Sequence, residues 1–404
     1  MRRVAVASAL AAGSPKTRAA EGSESHWQQI RGKFAFREER VPMNAANLCP
    51  SPVDVAAAVT DLTRSIDIDC SFQNRARFAE DRENARNQVA GQLGAKADEI
   101  ALVRNTSEAN NVINNGIDLK AGDEVVVWDQ NHPTNNVAWA VRARRSGFAV
   151  RSVSVPAQPA GPEALIEPFR RALSSRTRVL ALTHASNISG IRLPVRDLCE
   201  LAHRSGIHVH VDGAQTWGAL NVDLHELGCD SYAASAHKWF CGPKEVGLLY
   251  VRSDRIDGIW PSVVAPGWGP TADTELVGAR KFESMGQRDD AAISALGEAA
   301  KFHTSIGPGR VESRVLELAA LLKESLVAAG AKLVTPLAKD LSAGVCIIEV
   351  EPDKRQGVFD AMYDRFGIAG STAGGLRLCP HVYNTRDHVD RAARGVAALR
   401  DMWA

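Results

Sequence analysis

The chain has 404 residues, 45% of them hydrophobic and 24% charged, the composition of a globular protein large enough for two packed cores or one large domain with a satellite. Its 48 lysines and arginines against 47 aspartates and glutamates leave a formal net charge of +1, so no basic surplus drives sequence-independent nucleic-acid binding. No apolar run reaches the roughly 20 residues of a membrane span, and seven scattered cysteines without a C-x-x-C pair exclude a zinc ribbon or a disulfide scaffold.

At the start, Arg2 and Arg3 precede a mild apolar stretch and a breaker at Pro15. Residues 1–22 read as a twin-arginine-like export signal or an alanine-rich disordered tail, giving a periplasmic or a cytoplasmic location, and are set aside from the fold. Residues 23–60 are expected to contribute to a small domain or to the site entrance. From about residue 98, short β-branched runs at 100–103, 125–128, 150–155, 179–183, 208–211, 231–234 and 247–251 alternate with helical segments such as 136–146, 162–174 and 195–205. This is the pattern of βαβ units and a mostly parallel seven-stranded sheet, expected within a large α/β domain over residues 23–290. A proline- and glycine-rich stretch at 260–270 predicts a loop or lid. Long helices at 290–306 and 311–329 lead into a smaller α+β domain, residues 291–404, with strands at 345–350 and 376–378 and helices at 355–366 and 386–402.

Ligands of such sheets collect at the carboxyl ends of the strands. Two of those ends carry the strongest constellation, Asp212-Gly-Ala-Gln215 and Ser235-Ala-His-Lys-Trp-Phe-Cys-Gly-Pro243. An acid after one strand and a lysine after the next can converge on one ligand. A carboxylate to pair with a protonated pyridine nitrogen and a lysine to form a Schiff base are what pyridoxal 5′-phosphate requires.

These two stretches resemble the class V aminotransferase group of fold-type I pyridoxal phosphate enzymes, which includes cysteine desulfurases, selenocysteine lyases and isopenicillin N epimerase. The resemblance implies that Lys238 carries the cofactor, that Asp212 faces the pyridine nitrogen, that Gln215 donates to the phenolic oxygen, and that Ser235 and His237 contact the phosphate. Arg104-Asn-Thr-Ser-Glu-Ala-Asn-Asn111 follows a strand and opens a helix, where free N–H groups suit a phosphate dianion. By resemblance Thr106, Ser107 and the Glu108 backbone form that cup. Asn131-His-Pro133 is similar to the segment whose histidine, here His132, stacks on the ring, and Asn187 matches an asparagine that reaches cofactor or substrate. His208 and His210 alternate on a strand and are read as packed beside the site. Arg377 resembles the family's carboxylate-gripping arginine. A homodimer is implied by the family, whose relatives send a loop into the neighbouring subunit's phosphate site; here that loop reads Gly286-Gln287-Arg288 in place of the usual Gly-Thr.

The family's desulfurases need a cysteine on the loop before the arginine strand. Here Gly370-Ser-Thr-Ala-Gly-Gly375 has none, and Cys379 sits past Arg377 on the strand itself. A persulfide mechanism is therefore disfavoured. The expected function is chemistry at the α-carbon of an amino acid or peptide-linked amine, aminotransferase-like or isopenicillin N epimerase-like. The alternatives are a carbon–sulfur lyase and a catalytically silent binding module of the same fold.

Overall fold

In the computed structural model, residues 23–265 and 277–403 are described; the leader-like stretch 1–22 and the part of the expected lid from residue 266 lie outside them. The strands are β1 Val41–Pro42, β2 Ile100–Val103, β3 Glu124–Trp128, β4 Ala149–Val153, β5 Thr177–Thr183, β6 His208–Asp212, β7 Ser231–Ser235, β8 Gly247–Val251, β9 Cys346–Ile348, β10 Ile368–Ala369 and β11 Leu376–Leu378. Seven form one sheet in the order β2-β8-β7-β6-β5-β3-β4. β8 runs antiparallel to both its neighbours, and every other pairing is parallel. The expected run at 150–155 is shifted to Ala149–Val153.

β2, β3, β7 and β8 are buried at every position, the mark of strands covered by helices on both faces. β4 closes one edge and exposes Arg151, a charge that blunts further strand pairing. With β2, β3, β5, β6 and β7 all pointing one way, the segments that follow them meet on a single rim of the sheet.

Local chemistry fixes how those segments leave the strands. Asn105 caps the helix Thr106–Gly116 by accepting from Glu108 N. His132 caps the helix Pro133–Ser146, which starts on a proline and stops at Gly147 in the left-handed region (φ 80°). Gly213 has to be glycine because a Cβ there would lie 1.8 Å from Tyr232 Cζ.

The helices Glu24–Arg31, Val53–Ile68 and Arg77–Gln92 precede the sheet, where the sequence pattern assigned no elements. Val53–Ile68 fully buries Val55 alone, and Arg77–Gln92 is largely polar, so neither has a strong apolar stripe. A second apolar cluster joins Val41 and Met43 to Leu322, Ile348, Met362 and Val389, uniting the β1 region with the helices Pro308–Ala328, Arg355–Phe366 and Arg386–Ala398. β1 pairs with β10, and Asn44 bridges to Cys379, which delivers the β1 segment to the arginine strand β11. The expected last helix is two pieces, Arg386–Ala398 and Arg400–Trp403. Among the described residues no helix is long and apolar enough to cross a membrane.

Candidate active site

A cavity of about 240 Å³ opens on the strand-end rim. Thr106, Ser107, His132, Asn187, Asp212, Gln215, Ser235, His237 and Lys238 line it, together with Asn105, Thr134, Thr183 and Ala214. Of the residues expected from sequence, Glu108 and Arg377 are not among the lining.

Asp212 ends β6 and is buried, its Oδ1 accepting from Ala214 N at 3.0 Å and its Oδ2 from Asn110 Nδ2 at 2.9 Å. Lys238 follows β7. Burial pulls its ammonium below the usual lysine range, with Asp212 opposing that shift and Arg377 adding to it. His132 Nδ1 accepts from Thr134 N at 3.3 Å and lies 2.9 Å from Thr134 Oγ1. Burial, then the Lys238 charge, holds this imidazole below its ordinary value, so it is neutral near pH 7. His237 is lowered to about 4 by burial and by Lys238.

Ser235 Oγ accepts from Thr106 N at 2.8 Å and lies 2.6 Å from Thr106 Oγ1. Glu108 N donates to Asn105 Oδ1 at 3.0 Å, and its carboxylate accepts from Arg104 N at 2.6 Å. Two amides of the first turn are thus engaged within the chain, and Ser107, between them in sequence, lines the cavity. Gln215 gives one N–H to Ala46 O at 3.1 Å, and its Oε1 accepts from Trp239 Nε1 at 2.8 Å.

Arg377 is buried, with Nη1 donating to Asn187 O at 2.9 Å and Nη2 to Asn44 Oδ1 at 3.0 Å; its Nε has no partner. Gln287 Oε1 accepts from Arg75 Nη2 at 2.7 Å and Arg288 Nη1 donates to Leu102 O at 2.6 Å, so both bind within their own chain. Cys379 is fully buried, and burial raises its thiol pKa. Among the described residues one group, Cys49, Cys241 and His381, brings three metal-capable atoms within 4.8 Å. Both His381 ring nitrogens already meet backbone groups, Trp239 O and Val382 N.

Asn44, Asn110 and Thr183 are polar groups of the site that the motifs did not single out. Thr183 Oγ1 is buried without a partner. Asn110 lies one turn into the phosphate-cup helix, a signal that could have found it; Asn44 has no local signature and reaches the site only through the β1 pairing.

The fold is that of a C-DES mutant with glycine covalently linked to its PLP cofactor (TM-score 0.84, 21% identity, covering 91% of this chain and 98% of that one). A cysteine desulfurase from Thermococcus onnurineus NA1 superposes with a TM-score of 0.82 at 22% identity, covering 92% and 97%. These are fold-type I pyridoxal phosphate enzymes. The family described as aminotransferase class V matches residues 69–394, and the chain belongs to it. Over 392 residues it is 31% identical to isopenicillin N epimerase of Amycolatopsis lactamdurans, covering 92% of this chain and 98% of that one. It is 29% identical over 347 residues to a cysteine desulfurase of Salmonella typhimurium, covering 80% and 84%. The protein is therefore an enzyme of this pyridoxal phosphate family.

Proposed function

We propose that the protein acts at the α-carbon of an amino acid or peptide-linked amine, as an epimerase-like or aminotransferase-like tailoring enzyme, without forming a persulfide. The observation that carries this reading is the convergence of Lys238, Asp212 and His132 on one cavity that none of the seven cysteines lines. Pyridoxal phosphate, when bound, supplies an electron sink for charge developing at the α-carbon. The residues present fit that group: a buried carboxylate, a partly buried lysine with a depressed pKa, and a helix start whose Thr106 and Ser107 line the cavity.

Asp212 would hold the ring nitrogen, with Gln215 and Asn187 at its edge, and Ser107, Ser235 and His237 would hold the phosphate. Thr106 supports Ser235 through its amide and hydroxyl. Lys238 Nζ, less basic than a free lysine because it is buried, takes and returns the α-proton. His132, a neutral imidazole in the cavity lining, would cover a face of the ring. Arg377 grips the substrate carboxylate; Asn187 and Asn44 already fix its guanidinium, so orientation precedes binding. A persulfide step needs an accessible thiolate, and burial denies one to Cys379. Exposed Ile68 and Phe72 suit contact with a second copy in a homodimer.

The test incubates the cofactor-loaded protein with L- and D-amino acids and with amine-bearing peptides. Inverted stereochemistry, or amino transfer to an added keto acid, is expected without sulfide release. Sulfide from cysteine would favour the carbon–sulfur lyase, and no turnover of any amine would favour the silent binding module.

A further inference from the structure

Behind the cavity floor runs a buried polar chain that the proposed chemistry does not use. His208, His210 and Asp212 alternate along β6 and so share one face of the sheet. Asn110, on the helix Thr106–Gly116, stands between two of them: its Nδ2 is 2.9 Å from Asp212 Oδ2, and its Oδ1 is 2.9 Å from His210 Nε2. His210 Nδ1 lies 2.9 Å from Ser231 Oγ, which lies 3.0 Å from His208 Nε2. Asn110, His210 and Ser231 are wholly inaccessible to solvent.

Donor and acceptor chemistry gives this chain one direction. A carboxylate only accepts, so Asn110 must turn its NH₂ to Asp212 and its carbonyl to His210. His210 then carries its proton on Nε2. Burial lowers its pKa to about 3, so the ring is neutral near pH 7 and Nδ1 is a lone pair for the Ser231 hydroxyl proton. Ser231 Oγ in turn accepts from His208 Nε2–H; burial holds that ring down to about 4, despite the opposing Asp230 charge. Every proton of the chain points towards Asp212.

We propose that Asn110 and His210 are positioning residues that hold the Asp212 carboxylate aimed at the cofactor's ring nitrogen. Asn110 Nδ2 fixes one carboxylate oxygen. Ala214 N fixes the other oxygen, so the carboxylate is held at both ends. The inference rests on the reading of Asp212 as the partner of that nitrogen.

The experiment compares the dissociation constants of pyridoxal phosphate and its 1-deaza analogue, which has C–H in place of the ring nitrogen, on the reconstituted full chain. Wild type is expected to prefer pyridoxal phosphate. Asn110→Leu and His210→Leu are expected to cut that preference about tenfold, the scale of one hydrogen bond to a charged group. His210→Gln, which keeps an N–H for Asn110, is expected to retain most of it. A purely structural role would weaken both ligands equally, and an unchanged preference in these variants overturns the proposal. If the leucine variants do not fold, Ser231→Ala decides, with a fall of about threefold expected and no fall overturning it. No preference in wild type would remove the Asp212 reading itself, and the positioning role with it.

Discussion

The floor of the cavity and the arginine wall beside it are held in different ways. Asp212, Ser235 and Thr106 come from adjoining strand ends and the helix behind them, and are joined by hydrogen bonds through Asn110 and between Thr106 and Ser235. Arg377 stands on the short strand β11 and is tied to the backbone of Asn187 and the side chain of Asn44, partners 190 and 333 positions away in sequence. Asp212, Ser235 and Thr106 are hydrogen-bonded within the chain, whereas Arg377 keeps Nε unpartnered, as Thr183 does its Oγ1. Fixed dipoles suit the reaction common to a family, and an unspent donor suits substrate recognition. On the proposed reading the chemistry draws on the sheet, and the carboxylate contact on the junction of the β1 and β11 segments.

Breaking the floor has the largest expected effect. Lys238→Ala should abolish the absorbance band near about 420 nm and lower turnover by at least about 10³-fold, measured by spectrum and rate on the same preparation. Acid should loosen the buried framework next. His184 and His210 are held at about 3, His303 at about 4 and His381 at about 3, against 6.5 for a free imidazole, in each case chiefly by burial. The unfolded chain therefore binds protons that the folded chain refuses; stability is complete above about pH 6.5 and falls as the pH drops towards those values, by up to about 1.4 kcal/mol per pH unit for each group. Urea unfolding at pH 7 and pH 5 reads this directly, and equal midpoints would contradict it.

At the arginine wall, Arg377→Ala should reduce kcat/KM for substrates with a free carboxylate by about 10²-fold and leave the matching amides nearly unchanged. Equal losses for acid and amide would move the carboxylate contact elsewhere. The smallest effect is expected at the helix start: Asn105→Ala removes the cap at Glu108 N and should cost about 1 kcal/mol of stability, visible as a modest drop in Tm.

The same division decides what could be read in the sequence. β2, β3 and β8 announce themselves as apolar runs because both faces are covered, and Asp212-Gly-Ala-Gln215 is specific because Gly213 and Tyr232 leave room for no other residue after the acid. Most of the cavity lining was therefore legible from motifs at strand ends. The helices before residue 98 were not, since Val53–Ile68 and Arg77–Gln92 carry weak apolar stripes. Asn44 was invisible for another reason: its place depends on a bridge to Cys379, a pairing that no local pattern encodes. Asn110 and His210 were visible as residues, but their link to Asp212 exists only once helix and strand are packed together.

The most direct test of the central claim, α-carbon chemistry with Lys238 as proton carrier, is proton exchange in D₂O. ¹H NMR would follow the α-proton signals of a panel of amino acids and amine-bearing peptides with the cofactor-loaded protein and with Lys238→Ala. Loss of an α-proton signal with the intact protein and its persistence with the variant is the predicted result. Retention of every α-proton with the loaded protein, or exchange at the same rate in the variant, would contradict the account.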